Sequence, residues 1–218
     1  MRNYPILINL FLSFVTGQGG SYALDFDGSN DYVVIPTSVA VANDNTFSIE
    51  AWVYWRAGTN GTIYAEGFTS SYNPMLSIIP RPVDGGGIEL VCRDLSNTGL
   101  VAQPTTGVVT ETKWTHVSVT RLSSTNIKVY IDGVQTDNLT FSSPSSWTVN
   151  AIRLGLRQRA GTDSPFDGII DEVRIWNDAR TVAEIQEYMH KDLTGSESNL
   201  VAYYKMSNGT GTSLTDNS

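Results

Sequence analysis

The chain has 218 residues, enough for a single domain that buries a hydrophobic core without disulfide bonds. The net charge is −8 and only 17% of residues are charged. Nucleic-acid binding needs clustered Lys and Arg, but here the basic residues are scattered apart from Arg153, Arg157 and Arg159. We therefore expect no nucleic-acid partner. The single cysteine, Cys92, cannot form an internal disulfide and lies in a run of β-formers, which indicates a buried thiol.

The first residues have the pattern of an export signal. Arg2 precedes an apolar run that is too short to span a bilayer, and small residues follow near Gly17 and Gln18. This pattern predicts a secretory signal peptide over residues 1–18 and a mature domain over 19–218, with retention of the segment as a strand as the alternative. No later segment predicts a transmembrane helix, so we expect a secreted or cell-surface protein without membrane insertion.

From residue 22 onward, short runs of β-formers alternate with turn-rich stretches. Residues 47–54 alternate strictly between apolar and polar side chains, the pattern of a half-buried strand. The Asp132–Gly133 pair predicts a tight turn between two further strands. Strands that recur about every ten to fifteen residues indicate a β-sandwich or jelly roll.

One segment has helical rather than strand periodicity. Val182, Ile185 and Tyr188 recur at helical spacing, and Thr181 with Glu184 forms a capping-box pattern. We therefore predict one short amphipathic helix that lies on the sandwich. A strand follows from about residue 199, and the polar residues 207–218 are expected to be loosely ordered.

Seven motifs in a fixed order resemble one family of extracellular domains. They are ALDFDGSNDYVVIP, FSIEAWVYW, WTHVSVTR, KVYIDGVQ, IRLGLR, FDGIIDEVRIWNDART and LVAYYKMSNGTGTSLTD. Together they resemble the laminin-G-like, concanavalin A-like lectin/glucanase jelly-roll family over about residues 22–218. The resemblance implies an all-β, two-sheet antiparallel jelly-roll sandwich with about twelve to fourteen strands and one short peripheral helix.

The same resemblance implies a function. Members of the family typically bind glycans or extracellular proteins, often with calcium, and most are not enzymes. We therefore expect a secreted, non-catalytic, carbohydrate-binding or adhesive module, which can be part of a larger multi-domain protein. The alternative is a structural, protein–protein interaction subunit of an extracellular assembly. Glucanases of this fold carry two Glu and one Asp at alternating positions of one strand, and no such E-x-D-x-E pattern occurs here.

Asp171 and Glu172 are adjacent acids inside an apolar stretch. By the period-two rule of a strand they point to opposite faces, so they cannot act as an acid/base pair on one bond. The resemblance implies that Asp27 and Asp171 hold a structural Ca²⁺, a cation that takes oxygen ligands. The open alternative is that Asp171 accepts backbone N–H groups or a cationic side chain. Glu50 and Arg174 are predicted to form an ion pair if their strands are neighbours.

Aromatic, amide and charged side chains in predicted loops are the candidate ligand contacts, because glycan pockets combine aromatic faces with polar groups. The alternative for each of these side chains is that it is a surface residue without a ligand-binding role. We assign the remaining tryptophans and both histidines to packing. The candidate ligand-binding residues are Trp55, Tyr64, Tyr72, Asn73, Arg157, Arg159 and Asp163.

Overall fold

The computed structural model describes residues 2–5, 13–15, 22–56, 60–73, 75–81, 87–160, 163–208 and 212–218. One helix, α1 (Val182–Tyr188), and one 3₁₀ turn (Thr37–Val39) accompany the strands of this part of the chain. The strands are β1 (Arg2–Pro5), β2 (Ser13–Val15), β3 (Ala23–Asp27), β4 (Val33–Ile35), β5 (Phe47–Trp55), β6 (Tyr64–Gly67), β7 (Met75–Arg81), β8 (Gly87–Arg93), β9 (Gly99–Pro104), β10 (Trp114–Ser123), β11 (Asn126–Ile131), β12 (Val134–Thr140), β13 (Ala151–Leu154), β14 (Leu156–Arg157), β15 (Ser164–Pro165), β16 (Asp167–Trp176), β17 (Leu200–Tyr204) and β18 (Ser213–Asp216).

Two antiparallel sheets form the sandwich, so the predicted fold class is confirmed. The eight-stranded sheet has the order β12-β11-β10-β5-β16-β3-β2, and β17 also pairs with β16. The six-stranded sheet has the order β4-β13-β6-β7-β8-β9. Strands distant in sequence are therefore neighbours in space, and β5 and β16 pair across more than a hundred residues.

The core lies between the two sheets and follows the alternation of the sequence. Along β5, Ile49, Ala51 and Val53 belong to the core, whereas Ser48 and Glu50 lie on the other face. Cys92 is a buried, free thiol in β8 and packs in the same core, as predicted. We call the face of each sheet that points away from this core its outer face.

The tight turn and the helix are both where the sequence predicts them. Asp132 and Gly133 join β11 to β12 with φ angles of 49° and 72°, the left-handed backbone that a two-residue hairpin requires. At the start of α1, Thr181 and Glu184 form the predicted capping box. The segment around α1 lies over the outer face of the eight-stranded sheet, since Trp52 Nε1 donates to the Met189 carbonyl at 2.7 Å.

The two ends of the chain differ from the predictions. The tail expected to be loosely ordered forms β18 over Ser213–Asp216, which pairs with β1. Residues 13–15 also form a strand, which pairs with β3, and most of the predicted signal peptide lies outside the described residues. The signal peptide therefore stays a prediction. In the described part of the chain, no helix has the length and apolar character needed to cross a bilayer.

Candidate functional site

Asp171 and Glu172 do not alternate across the sheet, because a β-bulge lies between them and Arg174. Asp171 is opposite Trp52 and Arg174 is opposite Glu50, so β16 has one extra residue in this interval. Glu172 has a φ of 52°, and its carboxylate accepts from the Tyr203 hydroxyl on the outer face of the sheet. The regular alternation expected from the sequence is therefore wrong at this point.

Both acids of the bulge are buried and engaged within the protein. Asp171 is 0% exposed, and its Oδ1 accepts from the Glu172 backbone N–H at 2.9 Å, as the alternative to calcium predicts. Glu172 Oε2 lies 2.9 Å from Arg174 Nη2 and 2.6 Å from the Tyr203 hydroxyl. These contacts give the two acids a structural role in the sandwich.

Arg174 connects this bulge to α1. Its guanidinium donates to the carbonyls of Tyr188 and Lys191, each at 2.8 Å, in addition to Glu172. The predicted neighbourhood of Arg174 and Glu50 is confirmed by the register, but the ion-pair partner is Glu172. Glu50 Oε2 instead lies 3.4 Å from His116 Nε2, and burial lowers the pKa of His116 to about 3, so this imidazole is neutral at pH 7.

The proposed calcium ligands do not fit a shared ion. Asp27 is opposite Asp167 in the ladder between β3 and β16, so Asp171 lies four residues further along. At about 3.3 Å per residue this separates the two backbones by about 13 Å. Calcium binds oxygens at about 2.3–2.6 Å, too short for both carboxylates to reach one ion. Within the described residues no group of three acidic, His or Cys side chains could hold a metal.

An open cleft lies on the outer face of the eight-stranded sheet, beside the end of α1. Tyr54 and Trp114 are directly opposite each other on β5 and β10, and their rings meet edge to face at 5.8 Å. Trp52 follows on the same face, with its ring 5.1 Å from the ring of His190. The volume of this cleft is about 550 Å³. We call it the aromatic cleft; its lining residues are Trp52, Tyr54, Thr112, Lys113, Trp114, Asp132, Met189 and His190.

The rim of the aromatic cleft is polar and locally strained. Asp132 Oδ1 accepts from the His116 backbone N–H at 2.8 Å, and no described residue bonds its second oxygen. Lys113 is exposed and forms no ion pair with the described residues. Thr112 has a φ of 57°, rare for a β-branched residue, and its N–H donates to the Trp55 carbonyl at 2.8 Å. Such backbone strain is concentrated at functional sites in proteins.

A second polar surface lies on the outer face of the six-stranded sheet. The Tyr72 ring is 3.7 Å from the Arg159 guanidinium and 5.1 Å from that of Arg93. The Arg153 guanidinium lies 5.0 Å from the Tyr32 ring. We call the four arginines the arginine cluster, which consists of Arg93, Arg153, Arg157 and Arg159.

The structure brings together only part of the predicted ligand-binding set. Tyr72, Arg157 and Arg159 lie at the arginine cluster. Asn73 is next to Tyr72, and the negative charge of Asp163 acts on Arg153.

The prediction that Trp55 and Tyr64 are loop residues is wrong. Both lie in strands and are 0% exposed, so neither presents a surface to a ligand. Their side chains point between the sheets because strand alternation places them with the core, and the Tyr64 hydroxyl donates to Glu66 inside it.

Sequence reasoning missed the aromatic cleft, since Trp52, Trp114 and His190 were assigned to packing. One signal was present: Trp52 and Tyr54 lie on the polar face of an alternating strand, where a large aromatic side chain points away from the core. That Trp114 is the cross-strand neighbour of Tyr54 could not be read from either motif alone.

Solved structures support the fold. Domain 4 of an extracellular arabinanase from Geobacillus stearothermophilus, solved with arabinotriose, is 22% identical, with a TM-score of 0.64 over 81% of this chain and 80% of that domain. A candidate carbohydrate-binding protein from Bacteroides ovatus is 20% identical, with a TM-score of 0.62 over 88% of this chain and 54% of that protein. A Trypanosoma rangeli sialidase is 17% identical, with a TM-score of 0.56 over 78% of this chain and 28% of that enzyme.

These similarities define the fold rather than an activity. This chain spans about half of the Bacteroides protein and less than a third of the sialidase. No curated protein sequence is similar enough to count as a relative. The sequence profile of the concanavalin A-like lectin/glucanases superfamily, of the laminin G type, matches residues 27–186. With that match and two antiparallel sheets in the observed order, the chain belongs to the concanavalin A-like lectin/glucanase superfamily.

Proposed function

We propose that this chain is a secreted, non-catalytic carbohydrate-binding module that holds sugar rings in the aromatic cleft. The observation that carries the proposal is the cleft itself, whose volume of about 550 Å³ is that of a small-molecule site. Aromatic rings and a few polar groups line it, the usual composition of ligand pockets. The structural similarity to an arabinanase domain solved with arabinotriose also supports this proposal.

The lining of the cleft can supply both parts of sugar recognition. The rings of Tyr54 and Trp114 are half-buried, so each offers part of an apolar surface to the C–H groups of a sugar ring. Lys113 can donate to sugar hydroxyls, and the second carboxylate oxygen of Asp132 can accept from them. A hydroxyl-bearing ring therefore meets both types of partner in this cleft.

The acids of the chain support the non-catalytic part of the proposal. Glycoside hydrolysis uses two carboxyl groups about 5–10 Å apart on either side of one bond. Asp132 is the one carboxylate among the described residues that line the aromatic cleft. Asp171 and Glu172 are buried and bonded within the protein.

Trp114→Ala should weaken the binding of a neutral polysaccharide by about 10- to 100-fold, because aromatic anchors dominate binding energies. Tyr54→Ala should act in the same direction. The measurement is isothermal titration calorimetry with arabinan, xylan and galactan oligosaccharides as probes. Tyr22→Ala is the matched control, since Tyr22 is 43% exposed and does not line the cleft, and it should bind as the wild type does.

Three results would contradict the proposal. Equal affinities of the wild type and Trp114→Ala for the oligosaccharides would show that the aromatic cleft is not the binding site. Release of reducing ends from a bound polysaccharide would contradict a non-catalytic module. A stable oligomer that covers the cleft in sedimentation equilibrium would favour the alternative, a structural subunit of an extracellular assembly.

Secretion and calcium are separate proposals that the same protein can test. Amino-terminal sequencing of exported protein should begin near residue 19 if residues 1–18 are a signal peptide; an exported chain that begins at Met1 would contradict this. If the folded state binds a structural calcium ion, the melting temperature is higher in calcium than in EGTA. Because Asp171 is far from Asp27 along the ladder, Asp171→Asn should leave that shift unchanged. Identical melts in calcium and EGTA would exclude a stabilising ion.

A further inference from the structure

The arginine cluster concentrates positive charge in a protein of net charge −8. The cluster holds four of the 14 Lys and Arg residues of the sequence. Arg93 ends β8, Arg153 lies in β13, and Arg157 ends β14. Like charges at close range repel, so the fold keeps this arrangement against an electrostatic cost.

The arginines of the cluster differ from the buried arginines elsewhere in how they are neutralised. Arg174 has a carboxylate and two carbonyls as partners, and Arg121 donates to three backbone carbonyls. Arg153 and Arg157 make no hydrogen bond or ion pair with the described residues, and the Nε atoms of both are buried. The nearby carboxylate of Glu89 is already paired with Arg81, and the negative charge of Asp163 acts on Arg153 without forming an ion pair with it.

Burial increases the cost of these unpaired charges. Arg157 is only partly exposed, and burial, followed by the positive charge of Arg159, lowers the pKa of its guanidinium to about 10. Burial also lowers the pKa of Arg153. An oxyanion placed between these groups would supply the missing charge and hydrogen bonds, and guanidinium groups bind oxyanions in a bidentate geometry.

The surroundings of the cluster limit the shape of the ligand. Small residues under the cluster, Ala65, Gly67 and Ala151, leave a cavity of about 10 Å³. This is about the volume that a single water occupies, so one oxygen atom can enter but a sugar ring cannot. Tyr72, whose ring contacts the lining residue Arg159, is 53% exposed and can contact a ring that stays at the surface.

We propose that the arginine cluster is a second binding site, which takes a sugar that carries a carboxylate or sulfate group. One oxygen of the oxyanion enters the cavity that Arg153 and Arg157 line, and the sugar ring contacts the exposed part of Tyr72. The sugar part of this ligand rests on the proposed function, whereas the oxyanion part rests on the arginines alone. The two sites lie on the outer faces of different sheets, so they can be tested separately.

The test is calorimetric binding of trigalacturonate and of a heparin hexasaccharide, with a neutral galactan oligosaccharide for comparison. Arg157→Gln and Arg153→Gln should each weaken anionic ligands at least tenfold and leave the neutral ligand unchanged. Trp114→Ala should show the reverse pattern. Lys191→Gln is the charge-matched control, because Lys191 lies in the turn after α1 and away from the arginine cluster, and this variant should bind all three ligands as the wild type does. Which of the two anionic probes binds more tightly distinguishes a carboxylate from a sulfate ligand.

Two kinds of result would overturn the proposal, and two further measurements serve as controls. If the anionic oligosaccharides bind no more tightly than galactan, the arginine cluster is not an oxyanion site. The same conclusion follows if they bind Arg157→Gln as tightly as the wild type. If inorganic sulfate or acetate binds with the same affinity as the oligosaccharides, the ligand need not be a sugar. Loss of neutral binding in Trp114→Ala, with anionic binding intact, would show that the two sites are independent. Melting temperatures of the Gln variants at or above the wild-type value would show that they remain folded.

Discussion

Replacing Arg174 with Ala should lower the free energy of unfolding by about 3–5 kcal/mol, the cost of breaking a buried ion pair. Arg174 is 1% exposed, and its loss would leave the carboxylate of Glu172 buried without its cation. The carbonyls of Tyr188 and Lys191 would also lose a donor. Chemical denaturation followed by tryptophan fluorescence measures the change.

The same substitution should weaken ligand binding at the aromatic cleft. Met189 and His190, which line the cleft, lie between the two carbonyls that Arg174 holds. Lys191→Ala is the control, because the ion pair of Lys191 with Glu187 is exposed and should contribute less than about 1 kcal/mol. Adding Glu172→Gln to Arg174→Ala should recover part of the stability. A loss below about 1 kcal/mol for Arg174→Ala alone would contradict the role of this ion pair.

Glu66 should make the protein less stable as the pH rises from about 4.5 to 7. The carboxyl group is 0% exposed, and burial raises its pKa from 4.5 to about 7, against the N–H of Val41 and the hydroxyl of Tyr64, which act to lower it. The folded state thus keeps a proton that the unfolded state releases in this pH range. At about 1.4 kcal/mol per pKa unit, the loss is about 3 kcal/mol and is complete above pH 7.

Glu66→Gln should remove this pH-dependent loss. The Gln side chain stays neutral, its oxygen can accept from Ala42 N, and its amide can donate to the Tyr64 hydroxyl. The free energy of unfolding, measured by urea denaturation at half-unit steps from pH 4 to 8, should therefore decline less in the variant. Glu184→Gln is the control of opposite sign. Hydrogen bonding from Thr181 N–H lowers the pKa of Glu184, so its contribution to stability is lost as the pH falls. Parallel pH profiles for wild type and Glu66→Gln would rule out this effect.

Local patterns in the sequence predict several elements of the fold. The alternation of residues 47–54 gives the direction of their side chains in β5, and the Asp132–Gly133 turn fixes the hairpin of β11 and β12. The capping box at Thr181 places the start of α1. These features depend on residues within a few positions of one another, so they can be read without knowing which strands pair.

The β-bulge in β16 and the two candidate sites could be located only from the tertiary structure. A period-two rule assigns Asp171 and Glu172 to opposite faces, and one extra residue in β16 shifts the assignment for the rest of the strand. Trp55 and Tyr64 looked like ligand contacts because the ends of their strands were unknown, and they are core residues.

The sequence by itself thus determined the fold class, the helix and its cap, the hairpin turn and the burial of Cys92. Only the tertiary structure decided which acids share a face and that Tyr54 meets Trp114 beside His190. It also decided that the Tyr72 ring lies against the guanidinium groups of Arg93 and Arg159. The physical reason is that strand pairing brings together side chains separated by tens of residues, and a local pattern cannot specify the register of that pairing.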